Sequence, residues 1–177
     1  MSPMRPIGRD PQERFALQKE LLNQGRFFKL VCGAGNEEPD EVYALSLVYA
    51  LAGASGIDVS ANSAVVRASV KATNDAAELA SEFGLDRYFP PFVTVSVGMP
   101  GDPHVRKAKI VQGDCTKCNA CIPVCPTDAI PSSLVIINTR CIGCGACGVA
   151  CQDDAIAYSH KSIQIESVLR DCVVAGA

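Results

Sequence analysis

No stretch of the 177-residue sequence holds an apolar run long enough to span a bilayer. The first thirty residues carry charges throughout and lack the continuous apolar segment of a secretory signal. Positive charge is scarce as well: 16 Lys and Arg stand against 19 Asp and Glu, for a net charge of −3. A nucleic-acid binder normally needs a basic face to neutralise phosphates, so that class of partner is disfavoured. Low-complexity tracts are missing too, because glycine and proline are dispersed and act as punctuation. With 48% hydrophobic residues the chain is globular, with enough material for one ordinary domain or a compact domain carrying a small insertion. Together these absences predict a soluble cytoplasmic protein, or a stromal one if it comes from a plastid.

What is abundant is cysteine, ten in all. Eight of these fall between Cys115 and Cys151 in two runs of one spacing, Cys115, Cys118, Cys121, Cys125 and then Cys141, Cys144, Cys147, Cys151. Metal chemistry explains that spacing better than a secreted disulfide scaffold does, and it implies a reducing compartment. A cubane [4Fe–4S] cluster needs four thiolates converging from different directions. A loop with cysteines three apart wraps three irons and leaves the fourth corner to a remote residue. In the usual two-cluster arrangement Cys115, Cys118, Cys121 and Cys151 hold one cluster, and Cys141, Cys144, Cys147 and Cys125 hold the other.

The two runs align at an offset of 26 residues, and the match extends past the ligands: Ala120 with Ala146, and Asp128-Ala129-Ile130 with Asp154-Ala155-Ile156. This predicts a duplicated unit of cluster loop, short helix near the fourth cysteine, and strand. The strands are expected at Leu134–Asn138 and Ile163–Ile165. Ile122, Val124, Ile130, Ile142, Val149 and Ile156 are expected to form a dry shell around the clusters. Gly143, Gly145 and Gly148 give the second loop an unhindered backbone that lets amides approach sulfur. Pro126 follows Cys125 whereas Gln152 follows Cys151, so a looser turn is expected after Cys151.

Ahead of the cysteines, strand and helix patterns alternate. Asp10-Pro11-Gln12-Glu13 reads as a capped helix start, with Gly25 as the stop. Phe27–Cys32 has strand character. Pro39–Ala52 is helical, with Val42, Leu45, Val48, Tyr49 and Ala52 on one face. Gly56–Ser60 is a second strand. Asn62 caps a further helix, expected to break near Thr73-Asn74 and resume to Phe83. Phe92–Val97 is a third strand, followed by an irregular turn at Gly98–Pro103. Such alternation predicts an α/β fold of parallel strands with right-handed crossovers, either a partial TIM-barrel-like sheet or half of a doubly wound one, joined to an α+β two-cluster ferredoxin-like module. The barrel start is favoured by the helix-to-strand phrase Leu51–Val59. The expected division is an α/β domain at 1–108, the cluster module at 109–166, and the start of a crossover helix at 167–177. That helix ends in Ala175-Gly176-Ala177 with no strand after it, which reads as a fragment or a naturally shortened form of a longer α/β protein, whose half-sheet then has an apolar face that another chain must cover.

Cys32, Asp58, Ser60 and Ser96 end successive strands on one rim, where α/β folds place ligand sites. No base, metal triad or phosphate motif completes an active site there. His104, Arg106, Lys107 and Lys109 form a basic patch before the first cysteine, a solvated loop or a docking point for an acidic redox partner. His160 is expected at the surface and Cys172 in the core.

Phrases outside the cysteines carry a family resemblance. Phe27–Ala34, Leu47–Ala54, Ile57-Asp58-Val59 and Asp102–Ala108 together resemble the light-dependent period protein family of cyanobacteria and its plant relatives. The resemblance covers nearly the whole chain and matches the N-terminal half of the longer family members. It implies an iron–sulfur protein that carries redox state to a circadian or photosynthetic partner, with the eight cysteines as ligands. The expected function is electron transfer or redox sensing, by a carrier or sensor and not by a catalyst alone. The alternatives are an iron–sulfur subunit of a flavin- or substrate-binding oxidoreductase, and a structural subunit braced by its clusters. A protein redox partner or larger complex is expected over the incomplete sheet, with no nucleic acid and no membrane span.

Overall fold

The computed structural model describes residues 11–85, 88–98, 102, 105–160 and 164–177. The expected N-cap Asp10, most of the turn at Gly98–Pro103, His104 and Ile163 lie outside the described residues.

The first helix, α1 (Pro11–Asn23), ends before Gly25, which takes the left-handed conformation that closes helices (φ +66°). Polar side chains fasten it to the strands that follow. Gln18 donates to the Ser55 carbonyl at 2.9 Å, and Arg14 donates to the Pro91 carbonyl at 3.2 Å while its guanidinium lies 4.7 Å from the Phe92 ring centre. The strands β1 (Lys29–Val31), β2 (Gly56–Ser60) and β3 (Phe92–Ser96) form a parallel sheet in chain order, with Ile57 opposite both Leu30 and Val93. Helices α2 (Pro39–Leu51) and α3 (Ser63–Glu82) are the crossovers between them.

Alternation along the strands sends Leu30, Ile57, Val59, Val93 and Val95 to one face. There they pack with Val42 of α2, Val65 and Val66 of α3, and Cys172. Cys172 belongs to α5 (Ile165–Ala175), which also brings Val168 and Ala175 against the same core. The chain therefore leaves the α/β layer after β3, builds the cluster module, and returns to it as α5, which packs along α3.

Several expectations are corrected here. α3 runs unbroken through Thr73-Asn74: Thr73 keeps its place by donating to the Val70 carbonyl at 2.8 Å, and Asn62 caps the helix by accepting from the Ala64 amide at 2.9 Å. On α2 the buried positions are Val42, Ser46 and Ala50, four apart, while Val48 is 61% exposed. Small residues let α2 approach α3 closely enough for Ser46 and Ser69, both fully buried, to hydrogen-bond at 2.9 Å. The open face of the sheet is not uniformly apolar. Asp58 accepts from Ser96 Oγ at 2.7 Å and from Lys29 Nζ at 3.1 Å, while Phe15, Leu22, Phe27 and Phe92 line an apolar groove beside α1.

The cluster module is framed by β4 (Arg106–Ile110) and β5 (Ile156–His160), antiparallel, with Ala108 opposite Tyr158. The boundary expected at 108 thus falls inside a strand that belongs with the module. Leu134–Asn138, expected as a strand, is irregular, with Leu134 at φ +55° and the Ile137 amide bonded to the Ala129 carbonyl at 2.9 Å. Ile165, expected in a strand, opens α5. No described helix is long and apolar enough to cross a membrane.

Lys107 joins the module to the α/β layer. Its ammonium donates to the Gly35 carbonyl at 2.9 Å and the Cys141 carbonyl at 2.7 Å, and lies 3.3 Å from Glu37 Oε2. The Glu37 amide donates to the Thr139 carbonyl at 3.2 Å, and Glu38 accepts from Thr139 Oγ1 and Arg140 Nε. Charged hydrogen bonds in such a half-buried setting contribute about 1.5–3 kcal/mol. Lys107→Met is therefore expected to destabilise the cluster-loaded protein by about 2 kcal/mol. The check is the denaturant midpoint; an unchanged midpoint would show that the junction is held elsewhere.

Candidate iron–sulfur centres

Each cysteine run is an irregular loop whose backbone turns left-handed on both sides of its second cysteine. Lys117 (φ +60°) and Asn119 (φ +63°) flank Cys118; Gly143 (φ +68°) and Gly145 (φ +88°) flank Cys144. The pairs are 26 residues apart, so the repeat seen in the sequence is a repeat of backbone shape. It continues past the loops, with Asp128 at φ +49° and Asp154 at φ +51°. Exposure repeats as well: Cys118 and Cys144 are exposed, Cys121 and Cys147 buried.

The thiols line two cavities. One is walled by Cys115, Cys118, Cys121 and Cys151, with Asn119, Leu134, Asp153 and Ile156 among its other residues. The other is walled by Cys125, Cys141, Cys144 and Cys147, with Ala108, Ile130, Ile142 and Tyr158. Each therefore takes three cysteines from one run and the fourth from the other. No disulfide forms, and all ten thiols are free. Among the described residues no group of three His, Cys, Asp or Glu converges on a single ion position; the thiols stand around a space, not around a point.

Backbone amides already point at sulfur. Ala129 donates to Cys125 Sγ and Ala155 to Cys151 Sγ, both at 3.3 Å, and Ala108 donates to Cys141 Sγ at 3.4 Å. Such donors stabilise a thiolate and suit a ligand that brings negative charge. The four-thiol donor set and the amide cradle fit a [4Fe–4S] group in each cavity. The turn after Cys151 is not looser than its partner, because Ala155 makes the same bond at the same length without a proline.

Helix α4 (Ala146–Ala150) ends at Cys151 instead of beginning there, and the equivalent first-run segment is a series of turns. The dry shell is also redrawn. Ile130 is buried and Ile122, Ile142 and Ile156 are partly buried, but Val124 is 40% and Val149 92% exposed. Ala108, Ile110, Ala129 and Leu134 supply the burial instead. Ala108 and Ile110 do not stand out in the sequence because they lie beside the charges of β4, which read as a basic loop, and Leu134 reads as part of a regular strand.

Tyr158 was missed altogether. Its hydroxyl donates to the Gly145 carbonyl at 3.3 Å and lies 3.8 Å from Cys147 Sγ. Burial first, and the contact with Cys147 second, raise its pKa, so it keeps its proton. Of the basic patch, Arg106 lies over the Tyr158 ring and donates through Nε to the Gly143 carbonyl at 3.0 Å, and Lys107 is taken up by the junction. These two cations are engaged within the chain, whereas Lys109 is exposed. His160 is exposed, as expected.

The polar groups at the strand-end rim are engaged in different ways. Asp58 and Ser96 bond to each other, and Ser60 Oγ is buried without a partner among the described residues. Cys32 packs with Leu30 toward the helices. Burial, with Glu41 and Asp58 adding negative charge, pushes the Cys32 thiol up to about 11.

A 4Fe-4S binding domain model matches residues 108–130 and again 134–157. Light dependent period A of Synechococcus elongatus (strain ATCC 33912 / PCC 7942 / FACHB-805) is 41% identical over 116 residues, which is 64% of this chain and 31% of that protein. The chain thus spans about a third of the length of the curated relative it matches. No solved structure matches.

Attack by a thiol requires its thiolate. Iodoacetamide labelling of Cys32 in the loaded protein at pH 8 is expected to run about ten- to a hundredfold slower than that of an ordinary exposed thiol, and to rise with pH until about 11. Peptide mass mapping of labelled protein checks this, and fast labelling at pH 8 would contradict it. The chain thus carries two 4Fe-4S binding domain matches whose cysteines wall the paired cavities, and over 116 residues it is similar to light dependent period A.

Proposed function

We propose that the chain is an electron-transfer or redox-sensing protein that holds a [4Fe–4S] cluster in each thiol-lined cavity. Cys115, Cys118, Cys121 and Cys151 ligate one, and Cys125, Cys141, Cys144 and Cys147 the other. The observation that carries this reading is the membership of the two cavity walls, each completed by the fourth cysteine of the opposite run.

Bound clusters of this type supply reversible one-electron storage at a potential set by net charge, burial and hydrogen bonds to sulfur. The protein's part is to aim those groups. Ala108, Ala129 and Ala155 direct amides at ligand sulfurs, and the buried Ile110, Ile130 and Leu134 limit water. Cys118 and Cys144 sit at the surface, where electrons can pass to a partner. Asp58 is occupied by Lys29 and Ser96, and Cys32 is held as a thiol, so the α/β rim offers no poised acid or nucleophile. That favours carriage or sensing over catalysis by this chain.

Three parallel strands backed by α2, α3 and α5 support reading the α/β part as the opening of a barrel-like sheet. Its open face, with Lys29, Asp58, Thr94 and Ser96, is the surface we assign to a protein partner. The relative's name speaks of a light-dependent period, and on that likeness we place the partner in a circadian or photosynthetic setting.

The ligand sets are tested by counting iron in anaerobically reconstituted protein. The parent chain should bind about eight irons, and Cys118→Ala, Cys125→Ala and Cys144→Ala about four each. Crossed ligation makes a sharper statement about pairs. Cys125→Ala with Cys144→Ala should still retain about four irons, whereas Cys125→Ala with Cys118→Ala should retain none. The reverse pattern would mean that each run binds its own cluster.

A further inference from the structure

The two cavities share a backbone and a cysteine pattern but differ in one set of side chains. Beside the cavity of Cys125, Cys141, Cys144 and Cys147, the Tyr158 hydroxyl approaches Cys147 Sγ to 3.8 Å and the Gly145 carbonyl to 3.3 Å. Arg106 fixes that phenol from above, its guanidinium 4.1 Å from the ring centre and its Nε bonded to the Gly143 carbonyl. Two glycines make the space. A Cβ on Gly148 would lie 2.7 Å from the phenol oxygen, and one on Gly145 would lie 2.9 Å from Arg106 Nη2. At the 26-residue offset the first run carries Asn119 in place of Gly145, Ile122 in place of Gly148 and Ser132 in place of Tyr158. Its cavity has instead the carboxylate of Asp153 in the wall, held by Thr116 at 2.5 Å.

Hydrogen bonds to ligand sulfur and nearby positive charge stabilise the reduced, more negative state of an iron–sulfur centre, and a nearby carboxylate opposes it. We propose that Tyr158, clamped by Arg106, is a positioning residue whose single phenol hydrogen, placed between the Gly145 carbonyl and Cys147 Sγ, turns from the carbonyl to the sulfur when Cys147 is a thiolate ligand. This makes the Cys125–Cys141–Cys144–Cys147 site the higher-potential member of the pair. An electron delivered to this protein by a low-potential one-electron donor then rests on the side of Tyr158, next to the Lys107 junction with the α/β layer, and the Asp153 side is the transit position. The proposal rests on the two-cluster reading above.

The experiment is a dithionite titration with mediators of the anaerobically reconstituted full chain, followed by EPR. Two one-electron steps are expected. Tyr158→Phe keeps the ring under Arg106 and removes only the hydroxyl. It should lower the reduction constant of the higher-potential step about tenfold, which is 59 mV for a one-electron couple, and leave the lower step in place. An exchangeable proton coupled to the reduced centre should disappear in the same variant. Gly148→Ala keeps the tyrosine but pushes its hydroxyl away, and should shift the same step in the same direction. If either variant moves the lower-potential step, or if both leave the two steps where they were, the assignment of Tyr158 is overturned. Failure of the parent chain to show two reducible centres overturns the two-cluster reading itself, and is told apart by the iron count of the unmutated protein.

Discussion

Four thiols that must face one small space from different directions set the terms for this molecule. A short loop can bring three of them round, but its chain has left before the fourth corner is reached. Here the vacancy in each cavity is filled by the last cysteine of the other run, Cys151 for the first and Cys125 for the second. That exchange brings the two halves of the module together, and β4 then pairs with β5 to close the frame behind them. Ile110, Ile130 and Leu134 pack behind the thiols and close the module's own core.

The α/β layer depends on a different economy. Its core is a single face of three strands under three helices, with Ile57 and Val59 at the centre. Lys107 links that layer to the module at the carbonyl of a cavity cysteine, Cys141, and at the loop that follows β1. A change in charge at the second cavity therefore has a short polar route to the α/β layer, through an ammonium shared between Cys141, Gly35 and Glu37. Sensing by this protein would need such a connection.

The sequence was most legible where spacing carries covalent demands. The cysteine spacing set out two runs of one pattern, and the glycine, Asn62 and strand patterns placed β2 and the starts of α2 and α3 correctly. It was less legible where tertiary contacts override local preference. Thr73 satisfies itself on the preceding turn and lets α3 continue. Ser46 and Ser69, polar by type, are buried because they bond to one another. Val149, apolar by type, is exposed because α4 buries only the face that carries Cys147. Tyr158 and Arg106 carried no motif; only the antiparallel register, which sets Ala108 opposite Tyr158 and Arg106 diagonal to it, brings them to the second cavity.

The left-handed turns on either side of Cys118 and Cys144 have a consequence for descent. Lys117 and Asn119 show that this bend does not demand glycine, yet the second loop has glycine at both matching places, and at Gly145 the missing side chain is where Arg106 now lies. A loop that began as a copy has thus become a socket. Exchanging the halves would keep the thiols in place but leave Arg106 and Tyr158 nowhere to sit, so the duplicates, alike in backbone, are no longer interchangeable parts.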